Sequence, residues 1–379
     1  MNNNTPTKPK VTWVTPDHFL DTDFNPDLFK GLLQHFDIHW IVMFPSKNAR
    51  FSESDLDDIE KLPGLTIEFI YWTSRARSIK TLLFYEKVYR SIKASKPDLT
   101  YFNYVPTNPF ILPLYWRINQ EKTIVTAHDG NVKSSFKMPM LSAMVFKLAF
   151  NAAKYVNMFS PTQAALFSAS FKDARIFIIL LGLKDFGVSR LEKRTDSIVF
   201  FFFGSINSNK NVGLLIRAAC NLYDKGVRGF KISINGFCND WDKYASQIKY
   251  PELFELDIRM IKNSEIADLF AKNHYAVFPY NEMSQSGAIK VAFNYNSPLI
   301  TSDLQGFTDE VKNGLNGYVF KSEDVNDLER VITERITHHD SEYALMRDQI
   351  KRYNQVNYSI EALTGKYRQM FQNVISANK

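Results

Sequence analysis

The chain has 379 residues, 45% hydrophobic and 23% charged, which excludes a disordered or low-complexity protein and leaves room for two domains of about 150 residues each. No run of about 18 apolar residues marks a membrane-spanning helix, and the opening MNNNTPTKPK lacks the apolar stretch of a secretory signal. A net charge of +6 and a pI near 9.0 admit nucleic acid, an anionic membrane surface or anionic nucleotides, but the basic residues are dispersed, and this sets nucleic acid aside.

Residues 1–10 read as a tail. The pattern then alternates: strands at 11–14, 38–44, 65–71, 99–105, 123–127, 155–159 and 175–181, with helices at 26–35, from Ser52 or Ser54 to Lys61, 79–94, 138–153 and 161–171. Strand–helix alternation of this kind predicts an α/β fold with a mostly parallel sheet. No G-x-G-x-x-G follows the first strand, so the dinucleotide fingerprint is absent. Aromatic residues make up 14% of the chain, with 31 Phe, which implies large cores and leaves room for an apolar partner.

Two places in this half carry chemistry. The 123–127 strand runs into His128–Asp129–Gly130, and a strand's carboxyl end is where α/β folds bind ligands; the same residues also read as a plain turn. The 138–153 helix is rich in Met, Phe and Leu, with Lys133, Lys137, Lys147 and Lys154 in or beside it. It reads either as a core helix or as a face lying on a lipid surface.

Residues 184–197 are polar and charged, the composition of an inter-domain linker. A second alternation follows. IVFFFFG is an apolar strand buried on both faces that ends at Gly204, and a polar loop with Lys210 leads into a helix at 212–223. A glycine-ended strand, a lysine loop and a helix N-terminus suit a phosphate, although a lone loop lysine also reads as solvated surface. Further strands are expected at 231–235, ending at Asn235, and at 257–261, with Ser264 capping a helix that runs to Lys272. Cys220 and Cys238 have no metal-ligand spacing and read as buried, reduced thiols of a cytoplasmic protein.

The most informative stretch is YAVFPYNEMSQSGAIKVAFNYNSPLITSDLQGFTDEVKNGLNGYVF, residues 275–320. A strand stops at Pro279; a loop with Glu282, Ser284, Gln285, Ser286 and Gly287 opens a helix, and Pro298 starts another strand. Helix N-terminal amides there would meet a phosphate, with Glu282 placed for hydroxyls. Ser322–Glu323–Asp324 caps a helix at 325–338, and a last helix from Ser359 to about Ile375 carries Leu363, Tyr367, Met370 and Phe371 on one face.

This stretch resembles the donor-binding segment of glycosyltransferase family 4, retaining GT-B enzymes. Glu282, Ser286–Gly287, Ser297–Pro298–Leu299–Ile300, Gly306, Glu310, Gly314 and Gly317 fall in step with the family pattern. The resemblance implies two Rossmann-like domains facing across a cleft, with the acceptor domain at 1–189, the donor domain at 190–356 and a closing helix at 357–379 that returns to the first domain. It implies a nucleotide diphosphate sugar as donor and a glycan or polyprenyl-linked acceptor. It also implies no cofactor, no required metal, and a location in the cytoplasm or at the inner membrane face, with 138–153 as the membrane contact. Glu282 and His128 take the catalytic places, His128 as the histidine facing the donor sugar. Gly204, Lys210, Asn235, Ser286, Gly287 and Lys290 form the donor-binding set. Two positions depart from the pattern: Ser205 stands where the family has a diphosphate-binding arginine, and Lys290 stands where it has a second, ribose-binding glutamate. Lys290 is expected to replace the lost positive charge. A GT-B module without catalysis, serving as scaffold or partner subunit, is the alternative these departures motivate.

Overall fold

A computed structural model of the chain describes residues 8–16, 26–45, 53–75, 78–104, 108–131, 139–283 and 286–378. The expected tail, Ser52, Lys133, Lys137, Ser284 and Gln285 therefore lie largely or wholly outside the described residues. The chain forms two units, one of residues 1–182 with 359–379 and one of residues 183–358.

The first unit is built on a parallel sheet ordered β3-β2-β1-β4-β5-β6-β7. These strands are β1 Lys10–Pro16, β2 Asp37–Pro45, β3 Leu65–Trp72, β4 Leu99–Phe102, β5 Thr123–Ala127, β6 Tyr155–Met158 and β7 Arg175–Ile178. Side chains alternate between the two faces of a strand, so each central strand feeds two cores. On one face Val11 and Trp13 of β1 pack with Leu28, Phe29 and Leu32 of the Pro26–Leu33 helix and with Tyr367, Met370 and Phe371 of the Ile360–Ser376 helix. On the other, Val14 joins Phe84, Val88, Leu114, Val145 and Phe167 from the helices at 80–95, 112–117, 139–150 and 161–170. Ser359 starts the closing helix by accepting the Ala362 N–H at 3.2 Å.

The second unit has a parallel sheet ordered β10-β9-β8-β11-β12-β13. Its strands are β8 Ile198–Phe203, β9 Phe230–Asn235, β10 Phe254–Asp257, β11 Tyr275–Phe278, β12 Leu299–Ser302 and β13 Tyr318–Phe320. Val199 to Phe202 are fully buried, as an all-apolar central strand requires. Several elements differ from the sequence expectation. β10 lies three residues upstream of 257–261, because the 3-10 turn Pro251–Leu253 delivers the chain to the sheet early. The helix at Asn263–Lys272 is closed by Glu265, whose carboxylate accepts the Lys262 N–H at 2.9 Å, rather than by Ser264. A helix at His339–Tyr358 was not anticipated; its buried residues Met346, Ile350, Asn354 and Tyr358 recur every four positions on an otherwise polar surface. Cys220 is buried, whereas Cys238 lies beyond β9 and is half-buried; both are free thiols.

Candidate functional site

The strand ends of the second unit are opened by two glycines. Gly204, after β8, has φ +133°, and Gly236, after β9, has φ +152°, values that side-chain-bearing residues rarely adopt. The two backbones touch: a Cβ on Gly236 would stand 1.8 Å from the Gly204 carbonyl oxygen. A Cβ on Gly204 would enter open space, so its conformation alone calls for glycine and its surroundings leave room above the strand. The Gly204 N–H donates to the Asn235 carbonyl at 3.1 Å. Asn235 itself is buried, and its amide nitrogen donates to the Phe202 carbonyl at 3.1 Å and to the Ser233 hydroxyl at 2.9 Å. It braces the β8–β9 seam, a different use of its amide from the donor contact expected.

The loop after β8 turns through the short 3-10 segment Ser208–Lys210, stabilised by the Asn207 side chain accepting the Asn209 N–H at 3.1 Å. Asn211, in the left-handed region at φ 47°, starts the Val212–Asp224 helix. The Lys210 ammonium sits 3.7 Å from the centroid of the Tyr280 ring. Tyr280 follows β11, so one cation–π contact joins the β8 and β11 loops, and the Asn281 N–H donating to the Asn209 carbonyl at 3.1 Å joins them again. Tyr280 is buried, which pushes its phenol pKa up, and its side chain hydrogen-bonds Ser286. The Ser302 hydroxyl of β12 holds the Tyr280 carbonyl at 2.7 Å. The Ser286 hydroxyl turns to Tyr280 and does not cap the Gly287–Asn294 helix that it precedes. Glu282 is exposed in the loop between β11 and that helix. Lys210, Glu282, Ser286 and Gly287 are thus gathered on two joined loops at the carboxyl ends of β8 and β11, the place where open α/β sheets take ligands. Tyr280, Asn281 and Ser302 hold them there and went unnoticed in the sequence; the hidden signal was the aromatic residue directly after Pro279.

Lys290 departs from expectation. It lies on the second turn of the helix, 1% exposed, with its ammonium bonded to the Glu310 carboxylate and to the Tyr358 hydroxyl at 3.1 Å. Its nitrogen also stands 4.3 Å from the Tyr358 ring centroid. Burial, then the Glu310 charge, raises the Tyr358 phenol well above its ordinary value. A buried ammonium needs a buried anion, and Glu310 supplies it, so in this structure the Lys290 charge is neutralised inside the unit rather than offered to a diphosphate.

His128 belongs to the first unit, at the carboxyl end of β5. Its ring meets Phe159 edge-on at 4.7 Å and Tyr104 at 5.9 Å. Gly130 fixes the turn: its N–H donates to Gln163 Oε1 at 2.8 Å, and a Cβ there would fall 2.5 Å from the Gln163 carbonyl. On the same unit the Pro139–Phe150 helix uses both faces. Val145, Ala149 and Phe150 are in the core, while Met140, Met144 and Leu148 form an i, i+4, i+8 stripe that is 88%, 52% and 38% exposed. Among the described residues no helix is long and apolar enough to cross a membrane, and no group of three or more His, Cys, Asp or Glu is placed to hold a metal. A cavity of about 1130 Å³ lies against β3 and the Lys80–Ser95 helix, lined by His39, Glu68 and Ser91 among others; none of the expected site residues borders it.

Two Rossmann-like units of this kind define the GT-B fold of glycosyltransferases. Within the chain, residues 197–338 match the family model of glycosyl transferases group 1, a span that contains the whole Lys210–Glu282–Gly287 constellation. No curated protein matches the sequence. Among solved structures, sucrose-phosphate synthase from Thermosynechococcus elongatus aligns at a TM-score of 0.70 and 14% identity, over 98% of this chain and 100% of its own. HepE from Anabaena, in complex with UDP and glucose, aligns at 0.67 and 14% identity, over 96% and 100%. The catalytic domain of starch synthase IV from Arabidopsis thaliana, bound to ADP and acarbose, aligns at 0.65 and 14% identity, over 98% and 100%. At such identities the likeness is one of fold.

Proposed function

We propose that the protein is a retaining glycosyltransferase that moves a sugar from a nucleotide diphosphate sugar to a hydroxyl of a glycan or lipid-linked acceptor, in the assembly of bacterial surface polysaccharide. The observation that carries this reading is the cation-and-amide seat formed by Lys210, Ser286 and Gly287 inside the segment that matches the group 1 glycosyl transferases. In the transfer, the bond from the sugar's anomeric carbon to the diphosphate oxygen breaks and a bond to the acceptor oxygen forms. The diphosphate leaves with extra negative charge. Lys210 and the first-turn amides of the 287–294 helix are the groups that lower that barrier, without a required metal. Glu282 orients the sugar hydroxyls, and His128 takes the place of the catalytic histidine that the family resemblance implies. The exposed Met140–Met144–Leu148 stripe supports a peripheral membrane contact for a lipid-linked acceptor, with Lys147 on the same exposed side for anionic headgroups.

A thermal-shift series with UDP, GDP, ADP and their common sugars tests the reading, with Lys210→Ala and Glu282→Ala as controls. A ligand that binds only the native state raises stability by RT ln(1 + [L]/Kd). A shift with one base that is lost in Lys210→Ala is the expected result. The second reading, a GT-B module without catalysis, is favoured by Ser205 and by the internal use of Lys290; no shift with any nucleotide at millimolar concentration would select it.

A further inference from the structure

The Gly287–Asn294 helix points its N-terminus into the proposed diphosphate seat, and one more cation reaches it from an unexpected direction. Lys184 opens the 183–197 segment, which carries no helix or strand. Its neighbours are moored to the far end of the same helix: Asn294 donates from its amide to Asp185 Oδ1 at 3.1 Å, the Phe186 N–H donates to the Tyr295 hydroxyl at 3.0 Å, and that hydroxyl donates to the Gly187 carbonyl at 3.1 Å. From this anchored base the Lys184 side chain runs back to the helix start. A Cβ placed on Gly287 would stand 3.6 Å from its Nζ and 3.7 Å from its Cε.

Two features of this contact are informative. First, an ammonium at a helix N-terminus meets the positive end of the helix dipole, an arrangement that raises the energy of both. Among the described residues no carboxylate pairs with Lys184 to offset it. Second, glycine at 287 is not required by the fold. Its φ is not in the left-handed region, and the Cβ distances above are ordinary van der Waals contacts. What glycine achieves is an ammonium beside the start of the helix with no side chain between them.

We infer that Lys184 is the second cation of the diphosphate seat, taking the charge role left open by Ser205 and not filled by Lys290. The inference rests on the nucleotide-sugar reading above. An anion set between Lys210, Lys184 and the amides of Gly287 and Ala288 removes the repulsion between ammonium and dipole. The seat therefore favours two negative phosphates over one. Lys184 is a binding residue for the leaving group rather than an acid or base.

Isothermal titration of the full chain with UDP, GDP and ADP, and with the matching monophosphates and nucleosides, tests this with Lys184→Ala and Lys184→Arg. Loss of one charge-assisted contact predicts a roughly ten- to hundredfold weaker diphosphate affinity in Lys184→Ala. The nucleoside should bind as before, and Lys184→Arg should recover most of the loss. Gly287→Ala should melt at the wild-type temperature yet weaken diphosphate binding in the same direction. If Lys184→Ala binds the diphosphate as tightly as wild type while Lys210→Ala does not, Lys184 is overturned and the nucleotide-sugar reading stands. If the wild-type chain binds no nucleoside diphosphate, both fall. Equal weakening toward nucleoside and diphosphate would show a general disturbance of the pocket and would also overturn the assignment.

Discussion

Lys184 and Lys193 lie on the same irregular segment, nine residues apart, and end up against opposite poles of two helices. Lys193 reaches the carboxyl end of the Asn263–Lys272 helix and donates to the carbonyls of Phe270, at 2.9 Å, and Asn273. Those are groups a helix end leaves unsatisfied, and they carry the negative pole. The protein alone completes that arrangement. Lys184 reaches the amino end of the 287–294 helix, where nothing described completes it. Lys290, in between, is complete for a third reason, its own buried carboxylate. A lysine satisfied by carbonyls or by a carboxylate is part of the scaffold, whereas one set against helix amides needs an anion from outside. Lysine content and net charge do not distinguish these cases; the polarity of the backbone beside each ammonium does.

The largest effect is expected at the strand ends that open the seat. Gly236→Ala forces a Cβ against the Gly204 carbonyl at an unfavourable φ, and a loss of more than about 4 kcal/mol in urea unfolding is expected, with nucleotide binding abolished. Lys290→Ala leaves Glu310 buried without its cation and should cost about 3–5 kcal/mol, while the double change Lys290→Met, Glu310→Leu should recover much of it. Recovery of stability together with wild-type nucleotide affinity would place Lys290 firmly in the scaffold; lost affinity in the stable double variant would return it to the site. Lys193→Met strands the Phe270 and Asn273 carbonyls and should cost about 1–3 kcal/mol. It should leave diphosphate affinity unchanged, and a drop there would erase the contrast with Lys184.

A change of pH perturbs the same lysine and its neighbours without a substitution. Burial, followed by the nearby Lys193 charge, holds the His274 pKa down at about 4 against an ordinary 6.5. The unfolded chain therefore binds more protons than the folded one between those values, and stability should fall as pH drops from about 6.5 to about 4. Lys193 is drawn down to about 7 by burial and then by Arg347, so its contribution should rise as pH climbs from about 7 toward the ordinary 10.5. Urea midpoints measured across pH check both, with His274→Asn flattening the acid limb and Lys193→Met the alkaline one.

How far the sequence told this story depended on the range of the interaction. β5 was legible to the residue, and β8 nearly so, because apolar runs bounded by turn residues are local signals. The helix at 339–358 escaped notice because its buried positions, Met346, Ile350, Asn354 and Tyr358, are half polar and give no apolar stripe. Glu282, Lys210 and Gly287 were visible as motif positions, but the Tyr280 ring that joins their loops became meaningful only when Lys210 was placed above it. Lys184 was invisible for the same reason: its contact with Gly287 spans about a hundred residues, and nothing in a polar linker sets that lysine apart. The sequence shows a lysine at position 290 but not its partner, since Glu310 lies twenty residues away on a different element.

The central claim is that the second unit seats a nucleotide diphosphate sugar for transfer. It is tested most directly by following nucleoside diphosphate release from UDP-, GDP- and ADP-sugars by the full chain, with Lys210→Ala and Glu282→Ala in parallel. Release from one donor class above the blank is expected, falling by roughly ten- to a thousandfold in each variant as transition-state contacts are removed. Tight binding of a donor with no release above the blank, under every donor and with membrane-extracted glycolipid supplied as acceptor, would contradict it and leave a binding module in its place.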